Sequence, residues 1–561
     1  MSNPAEIRAH EPLDAGAWKP LRRPVFRALW IATIASAIGT WMQDVGASWL
    51  MTSLAPTPLL VSLVQAASNL PFFVLALPAG ALADLVDRRR LLMVSQAWML
   101  LSAAALGILT LSGAVTPVSL LLLTFCLGVG SALNAPAWQA ITPELVPREE
   151  LPDAISLNGM AMNVARAAGP ALGGAVVAIV GSGPTFLLNA ASFLGVIAVL
   201  ARWERPRRES RLPPEDLYGA IRAGIRYVRH STQLTTVLVR ALSFILCGSV
   251  VWALLPLFAR ETLGLGPSGY GALLGFFGAG AVSGAFLLPR LRRALSAERV
   301  ATGSVLAFAA VTLVLGLARD GKLVGIALVI GGAAWLILLS SLNLAAQSAV
   351  PSWVRARAMA VHLLVIFGGM AIGSAFWGAI ATFIDIPAAF ELATLGLVLG
   401  RILTVRFTLP EGPPLDLTPD PRWNSPVVVG EPAPDRGPVL VTLEYVIDPE
   451  RARDFARAMR KLSRIRLRDG ALRWGLFVDA AQSNRYLESF VVESWIEHLR
   501  QHERITAADR EVQARAVASW VPLRLGSPIT FTSACNDARA RGLRGARPQV
   551  QRRIPGPHGL Q

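Results

Sequence analysis

The chain has 561 residues, of which 53% are hydrophobic and 16% are charged, and its mean hydropathy is +0.49. Soluble domains carry about 25% charged residues, so this composition excludes an ordinary water-soluble protein and favours a polytopic membrane protein. The net charge of +16 is therefore expected to mark one side of a bilayer, with no nucleic-acid partner, and three cysteines exclude a disulfide framework.

Residues 1–24 are expected to form a cytoplasmic arm. Acidic residues outnumber basic ones over the first twenty positions, and the first apolar stretch begins only near Val25, after Arg22 and Arg23. A secretory signal peptide has a positive start followed at once by an apolar segment. This segment is therefore not predicted to be a signal peptide.

Twelve apolar runs follow, each long enough for the roughly 20 residues that a membrane-spanning helix requires. They lie at about 26–51, 58–83, 91–112, 117–139, 154–181, 184–203, 234–259, 267–288, 299–318, 323–346, 358–383 and 387–408. We predict an all-α membrane protein with six helices in residues 25–203, six in 234–408, and a cytoplasmic loop over 204–233. In that loop an amphipathic helix from Leu217 to Val228 is predicted to lie on the inner leaflet.

The basic residues of the loops set the predicted orientation. Loops after even-numbered spans are rich in arginine, whereas loops after odd-numbered spans carry basic residues only at Arg260, Arg319 and Lys322. Cytoplasmic loops carry the excess of Lys and Arg. We therefore predict a multi-pass protein of the bacterial inner membrane with both termini in the cytoplasm.

Two landmarks occur twice, about two hundred residues apart. Gly80, Asp84, Arg88 and Arg89 follow the second span, and a copy without the acid follows the eighth. Gln139 with Pro143 at the end of the fourth span is matched by Gln347 with Pro351 at the end of the tenth. The sequence therefore predicts two repeated six-helix halves.

This pattern resembles the major facilitator superfamily over residues 22–408. The resemblance implies twelve helices in two six-helix repeats, alternating access between the halves, and a substrate site near the midplane. It also implies that Gly80, Asp84, Arg88 and Arg89 form a latch on the outward-facing state. Leu85 and Asp87 depart from the family motif, and the alternative for these residues is a plain charge cluster at the membrane edge.

Gly169, Pro170, Gly173 and Gly174 in the fifth span are similar to the motif of the exporter branch of that superfamily. Proline breaks the helical hydrogen-bond ladder, and paired glycines allow a close helix crossing. Residues 36–43 and 134–139 resemble the subgroup that includes the bacterial enterobactin exporter. A helix kink at a moving interface and ordinary small-residue packing are both compatible with this pattern.

Charged groups inside spans are costly and mark function. Asp44 in the first span is a candidate proton-coupling acid, the alternative being a water-exposed interfacial residue. Arg166 in the fifth span is a candidate cavity cation, the alternative being a side chain that snorkels towards the inner surface. His362 in the eleventh span is a proton-carrier candidate. Gln43 is a candidate hydrogen-bonding group, the alternative being a hydrogen bond between helices. Arg240 is predicted to anchor the seventh span at the inner leaflet.

A proline-rich linker over residues 409–437 separates the spans from a soluble segment at 438–534, and a basic tail over 535–561 is predicted to be disordered. Alternating and helical patterns predict the order β-α-β-β-α-β, a small ferredoxin-like α+β domain. Residues 493–509 resemble the dimeric α+β barrel family that includes antibiotic-biosynthesis monooxygenases. The resemblance suggests dimerisation or a cytoplasmic partner through residues 438–534.

His498 and His502 share a helix face, but no third ligand is evident, so no metal site and no cofactor are predicted. No catalytic cluster and no nucleotide-binding loop are present in the sequence. We therefore predict a non-enzymatic secondary transporter whose partners are the lipid bilayer, protons and a small organic substrate such as a siderophore or drug, moved outward by proton-coupled exchange. The alternatives are a membrane-anchored enzyme and a sensor or scaffold, both acting through the C-terminal domain.

Overall fold

A computed structural model of the chain describes residues 18–203, 217–351, 353–409, 416–417, 437–517 and 530–533. The described residues exclude most of the predicted N-terminal arm, residues 204–216 of the central loop, nearly all of the linker and the C-terminal tail. The chain divides into two compact units, Met1–Asp420 with Thr506–Glu511, and Pro421–Ile505 with Val512–Gln561.

The first unit contains twelve helices that are long and apolar enough to cross a membrane, as the hydropathy of the sequence predicts. They are α1 (Pro24–Leu54), α2 (Pro58–Leu85), α3 (Arg88–Leu111), α4 (Pro117–Leu145), α5 (Leu151–Val180), α6 (Ser182–Arg202), α8 (Thr232–Leu257), α9 (Pro267–Ala294), α10 (Ala297–Leu317), α11 (Gly321–Ser348), α12 (Arg355–Phe383) and α13 (Ile386–Leu403). A π-helical turn, Phe258–Thr262, extends α8. Because the number of spans is even, α1 begins and α13 ends on one side of the bundle, here called the N-terminal side; the other is the far side.

Local sequence signals explain where these helices begin. Proline occupies the first turn of α1, α2, α4 and α9, where its missing N–H costs nothing. Thr116 and Ser119 form a capping box at the start of α4. The side chains of Ser231, Ser296 and Asp385 accept backbone N–H groups at the starts of α8, α10 and α13.

Helices α1–α6 and α8–α13 form two halves that contact each other along α2 with α12 and along α5 with α9. Small residues allow the second contact. A Cβ atom added to Gly174 in α5 would lie 2.7 Å from the Cα of Gly271 in α9, and one added to Gly278 would lie 2.7 Å from the Arg166 carbonyl oxygen. The halves therefore meet backbone to backbone, a packing that any larger side chain would separate.

The short helix α7 (Leu217–His230) joins the halves and is partly buried against the second one. The Tyr227 side chain is 1% exposed, donates to the Ala349 carbonyl at 2.9 Å and contacts the Trp353 ring edge-on. Ile225, on the predicted apolar face, is 40% exposed. This helix is therefore attached to the protein through its C-terminal turn in addition to any contact with lipid.

The second unit is an antiparallel sheet with helices. Its elements are β1 (Val439–Val446), α14 (Ala452–Asp469), β2 (Ala471–Val478), β3 (Arg485–Val492), α15 (Trp495–Arg504) and β4 (Thr530–Ser533). Helix α16 (Ala507–Val517) begins in the stretch that belongs to the first unit and continues from Val512 in the second. The strand order is β2-β3-β1-β4. Phe455, Met459 and Leu462 of α14 pack on Tyr445 and Ile447, which is the helical face that the sequence pattern indicates.

The tightest helix crossing in the second half predicts a measurable stability effect. A Cβ atom at Gly332 in α11 would overlap the Phe277 carbonyl oxygen and lie 2.9 Å from the Ala281 nitrogen. Overpacking typically costs about 1–3 kcal/mol, so Gly332→Ala should lower the unfolding midpoint of the detergent-solubilised protein. The matched control is Gly303→Ala in α10, where nothing lies within 4 Å of the added methyl. Equal midpoints for the two variants would contradict this account of the crossing.

Candidate functional site

A cavity of about 450 Å³ lies between the two halves, lined by helices of both. Asp44 of α1 and Arg166 of α5 are two of its wall residues. The Asp44 carboxylate is exposed to the cavity, and Arg166 is partly exposed. The structure thus brings the two predicted intramembrane charges to the wall of one cavity between the halves.

In the described part of the chain, no ion pair joins Asp44 to Arg166. The Arg166 guanidinium instead lies 6.0 Å from the centre of the Trp41 ring, in cation–π range. Near Asp44, the Tyr270 phenol of the opposite half interacts with the Ser48 side chain and lies within electrostatic range of the carboxylate. The cavity therefore offers one anionic and one cationic group that are not neutralised by each other.

The wall contributed by the second half is aromatic. Trp252 contacts Phe277 and Trp335, with ring centroids 5.2 Å and 6.0 Å away, and it faces Trp41 across the halves at 6.2 Å. The Trp252 indole N–H and the Thr124 hydroxyl are buried wall groups without a hydrogen-bond partner among the described atoms. This wall presents flat apolar surface together with two unused polar groups.

Gln43 also lines the cavity, but its side chain has a structural partner. The Asn189 amide of α6 donates to the Gln43 side-chain oxygen at 2.6 Å, and both residues are buried. Such hydrogen bonds between helices hold membrane bundles together. The geometry therefore places Gln43 as a link between α1 and α6 in the cavity wall.

His362 in α12 is 2% exposed and is not among the residues that line the cavity. Its ring nitrogens have no hydrogen-bond partner among the described atoms. The structure thus separates His362 from Asp44 and Arg166, and its suggested proton-carrier role stays a prediction.

The prediction that Arg240 anchors a helix in lipid headgroups is wrong. Its side chain is buried and forms an ion pair with Glu298 of α10. Glu298 also accepts from Arg401 of α13 at 2.6 Å and from the Leu409 backbone N–H at 3.0 Å. The carboxylate therefore holds three helices and the segment after α13 together, and the cost of burying Arg240 is offset by pairing.

At the loop between α2 and α3, the structure assigns partners to the two predicted latch arginines. Arg88 donates to the Glu144 carboxylate at 2.9 Å, and Arg89 donates to the carbonyls of Leu200 and Ala201 at the end of α6. Asp84 lies in the last turn of α2, and its side chain is outside the described part. The sequence motif did not indicate Glu144, which lies fifty-six positions away from Arg88.

The glycine motif of α5 faces two different helices. Added Cβ atoms at Gly169 and Gly173 would overlap Trp41 and Met42 of α1, whereas Gly174 faces α9 of the other half. The helix continues through Pro170. The motif thus packs α5 against its own half on one face and against the opposite half on another, so these small residues lie where the halves meet.

In the second unit, the Glu488 carboxylate of β3 is fully buried and accepts from Tyr445, Arg466 and Trp474 at 2.8, 3.2 and 2.9 Å. The sequence alone did not single out this acid, although its position on the inward face of the alternating strand β3 is a usable signal. Buried charges in native proteins are paired or hydrogen-bonded. Glu488 therefore stabilises the core of this unit.

His498 and His502 lie with their Nε2 atoms 3.3 Å apart. Burial, followed by the nearby Arg466 charge, lowers the pKa of His498 to about 4, so this ring is neutral at physiological pH. No group of three or more His, Cys, Asp or Glu side chains in the described residues is placed to hold a metal.

Comparison with known proteins agrees with the geometry of the first unit. The Staphylococcus aureus staphyloferrin A transporter is 25% identical over 256 residues, which are 45% of this chain and 64% of that protein. The multidrug efflux pump Tap of Mycolicibacterium fortuitum is 25% identical over 71% of this chain and 99% of its own length. These relatives are transporters, so the prediction of a transporter and not an enzyme is confirmed.

Solved structures show the same fold. The nucleoside transporter NupG superposes with a TM-score of 0.58 at 12% identity, covering 68% of this chain and 99% of that one. A bacterial homologue of the human lysosomal transporter Spinster, in an inward-facing and unoccupied conformation, gives 0.53 at 15% identity over 70% of this chain and 96% of that one. Residues 15–521 match the family described as transmembrane secretion effector. The chain therefore belongs to the transmembrane secretion effector family of major facilitator superfamily transporters.

Proposed function

We propose that the protein is a proton-coupled secondary exporter of a small organic molecule, working by alternating access. The observation that carries the proposal is the exposed carboxylate of Asp44 in a cavity lined by both halves. A carboxylate in a partly desolvated site binds a proton more readily than one in water. Moving the halves changes its access from one side of the membrane to the other.

The charge of the cavity wall supports exchange of a proton against the substrate. A proton on Asp44 neutralises the one acidic side chain among the described wall residues and leaves Arg166 as their net charge. A deprotonated Asp44 instead favours a cationic group on the substrate. Proton and substrate thus compete through one carboxylate, which is the requirement for exchange of one against the other.

The chemistry of the wall supports an amphiphilic substrate that carries charge and a flat apolar part. Trp252, Phe277 and Trp335 supply stacking surface, and Asp44 and Arg166 supply charges of both signs. A siderophore or a drug has these features. The staphyloferrin A transporter and the Tap efflux pump among the relatives agree with such substrates.

We place the N-terminal side of the bundle in the cytoplasm of a bacterial cell, since Arg88, Arg89, Arg290, Arg292 and Arg293 lie there. The protein is then located in the inner membrane of the cell. Residues 25–203 and 234–408 are the two transport halves, with 204–233 between them.

The loop after α2 is proposed as a cytoplasmic latch. Gly80, with nothing within 4 Å of an added Cβ, and Asp84 end α2, while Arg88 and Arg89 begin α3 and bond to α4 and α6. This ties the loop to its own half through Glu144. In the proposed latch, Asp84 acts on the other half when the cytoplasmic side closes. Gly169, Pro170, Gly173 and Gly174 provide the packing surface along which α5 moves.

Residues 438–534 are proposed to be a ferredoxin-like accessory domain. The sheet order β2-β3-β1-β4 with α14 on one face supports this. The opposite face carries Leu440 and Phe477, exposed by 36% and 58%, and a second copy of the domain would cover them, as in the dimeric barrels that the sequence resembles.

Proton coupling through Asp44 predicts a specific transport defect. Asp44→Asn removes the titrating group at nearly constant volume, so it should abolish concentrative, pH-driven transport in proteoliposomes while leaving downhill flux. The control is Asp320→Asn, because Asp320 only caps α11 through the Lys322 N–H and asparagine caps equally well. Concentrative transport that survives in Asp44→Asn would move the coupling site elsewhere, with His362 next to be tested.

The latch predicts different effects for substitution of Asp84 and substitution of Glu144. Asp84→Asn should leave insertion intact and slow transport several-fold, because it weakens only the closed-cytoplasm state. Glu144→Gln should also lower thermal stability, because it removes the negative charge that pairs with the Arg88 guanidinium inside one half. Unchanged transport rates in Asp84→Asn and Arg88→Ala would reduce the motif to a charge cluster at the membrane edge.

The accessory domain predicts that removal of residues 410–561 leaves the twelve-helix unit inserted and active. Truncation there retains Leu409, whose N–H bonds to Glu298. The separately expressed segment 438–534 should fold and dimerise, and Phe477→Asp should weaken the dimer. Sedimentation velocity measures the dimer, and vesicle uptake measures the truncated transporter. A strict monomer, or an inserted truncation without transport, would overturn these roles.

A further inference from the structure

Arg260 stands out because it lies on the far side of the bundle, where the other loops are nearly free of basic residues. It belongs to the π-helical turn Phe258–Thr262 that extends α8. π-Helical turns inside α-helices are rare and occur mostly at functional positions. Here the extra residue per turn presents an arginine of the second half to the end of α1 in the first half.

The contacts of Arg260 all reach across the two halves. Its Nη1 donates to the Thr52 hydroxyl at 3.0 Å and to the Ser53 hydroxyl at 2.7 Å. Its guanidinium lies 5.8 Å from the centre of the Trp49 ring. Two hydrogen bonds and one cation–π contact therefore join α8 to the last turns of α1.

The stack continues from this point into the cavity. Trp49 lies on Tyr270 of α9 with ring centroids 6.1 Å apart and an angle of 23° between the planes. Tyr270 is 4% exposed, lines the cavity and interacts with Ser48 next to Asp44. Residues from alternate halves thus form a continuous column, Arg260–Trp49–Tyr270, from the far surface to the acid of the site.

Neighbouring contacts close the same side. The Leu59 backbone N–H donates to the Thr382 hydroxyl at 3.2 Å, joining the start of α2 to the end of α12. On the N-terminal side, by contrast, the ion pairs Arg88–Glu144 and Arg401–Glu298 each lie within one half. Among the described residues, the hydrogen bonds of the Arg260 guanidinium and of the Leu59 N–H therefore join the two halves at the far side.

We propose that Arg260 holds the two halves of this transporter together at the far side and so keeps a far-side gate to the cavity closed. The column Arg260–Trp49–Tyr270 links this gate to the Asp44 site. The gate opens when Arg260 leaves Thr52 and Ser53, which frees Trp49 to separate from Tyr270. Substrate or proton binding at Asp44 acts on Tyr270, the residue at the cavity end of the column. The inference rests on the alternating-access function proposed above and extends it to named gate residues.

Arg319 shows that a far-side arginine need not have this role. It donates only within its own turn, to the carbonyls of Gly316 and Ala318 at 2.9 and 3.1 Å. It is therefore a matched control for charge and location. Lysine at position 260 would keep the charge but lose the planar group that stacks on Trp49.

The test measures access to the cavity from the far side. In the full chain with Cys126, Cys247 and Cys535 replaced by serine, Ser131→Cys places one thiol on the cavity wall. A membrane-impermeant maleimide is applied to intact cells and to inside-out vesicles. A separate Thr57→Cys reporter, in the exposed loop between α1 and α2, identifies which preparation presents the far side.

We expect Arg260→Ala to raise the rate of far-side labelling of the cavity thiol several-fold, Arg260→Lys to give an intermediate rise, and Arg319→Ala to give none. Thr52→Val combined with Ser53→Ala should reproduce the effect of Arg260→Ala, and adding these changes to Arg260→Ala should add little, since they remove the same contacts. This second route keeps the test decisive if one variant folds poorly.

An unchanged labelling rate in both Arg260→Ala and the Thr52/Ser53 variant would overturn the gate, as would an equal rise in Arg319→Ala. The result is independent of coupling, because labelling requires no substrate or proton gradient. Loss of pH-driven transport in Asp44→Asn with normal gating variants would concern the proposed function alone. If Thr57→Cys is labelled only in inside-out vesicles, the predicted orientation in the membrane is wrong, and the gate proposal still stands.

Discussion

The cost of charge in a bilayer governs the arrangement of the membrane unit. A charged side chain at membrane depth must be paired or must face water. Arg240 with Glu298, and Arg88 with Glu144, satisfy the first condition inside one half each. Asp44 and Arg166 satisfy the second, since they open on the cavity. The distinction separates the groups that hold a half together from those left available for transport.

Rigid halves are the mechanical consequence of that pairing. Glu298 binds groups of α8, α13 and the segment after it, and Gln43 joins α1 to α6 through Asn189. The contacts between halves are of another kind: glycines of α5 and α9, aromatic pairs such as Phe72 with Phe367, and a few surface hydrogen bonds. Where glycines of the two halves meet, no side chain stands between the helices to obstruct their movement. Hydrogen bonds and ion pairs within each half, with small-residue packing between the halves, therefore suit a rocking motion of one half against the other.

The second unit follows the same rule in its own core. Glu488 is buried with three donors around it, because a carboxylate in a small core must be satisfied or protonated. Phe455, Met459 and Leu462 of α14 pack on Tyr445 and Ile447 beside the sheet. A compact core and an outer strand face with exposed apolar residues are properties of a domain that functions by docking, which agrees with the accessory role proposed for it.

The sequence by itself determined the twelve spans, the two-half repeat, the uneven distribution of arginine and the alternating strands, because each depends on composition or on a short period along the chain. Asp44 and Arg166 were identifiable because an isolated charge in an apolar run is conspicuous. Only the tertiary structure decided which charges are paired. Glu144, Glu298, Asn189 and the Thr52–Ser53 site of Arg260 meet their partners from 56 to 208 positions away. No local pattern encodes such meetings, since they follow from how the helices cross. For the same reason Arg240 looked like a lipid anchor in sequence and is a buried ion pair in the folded protein.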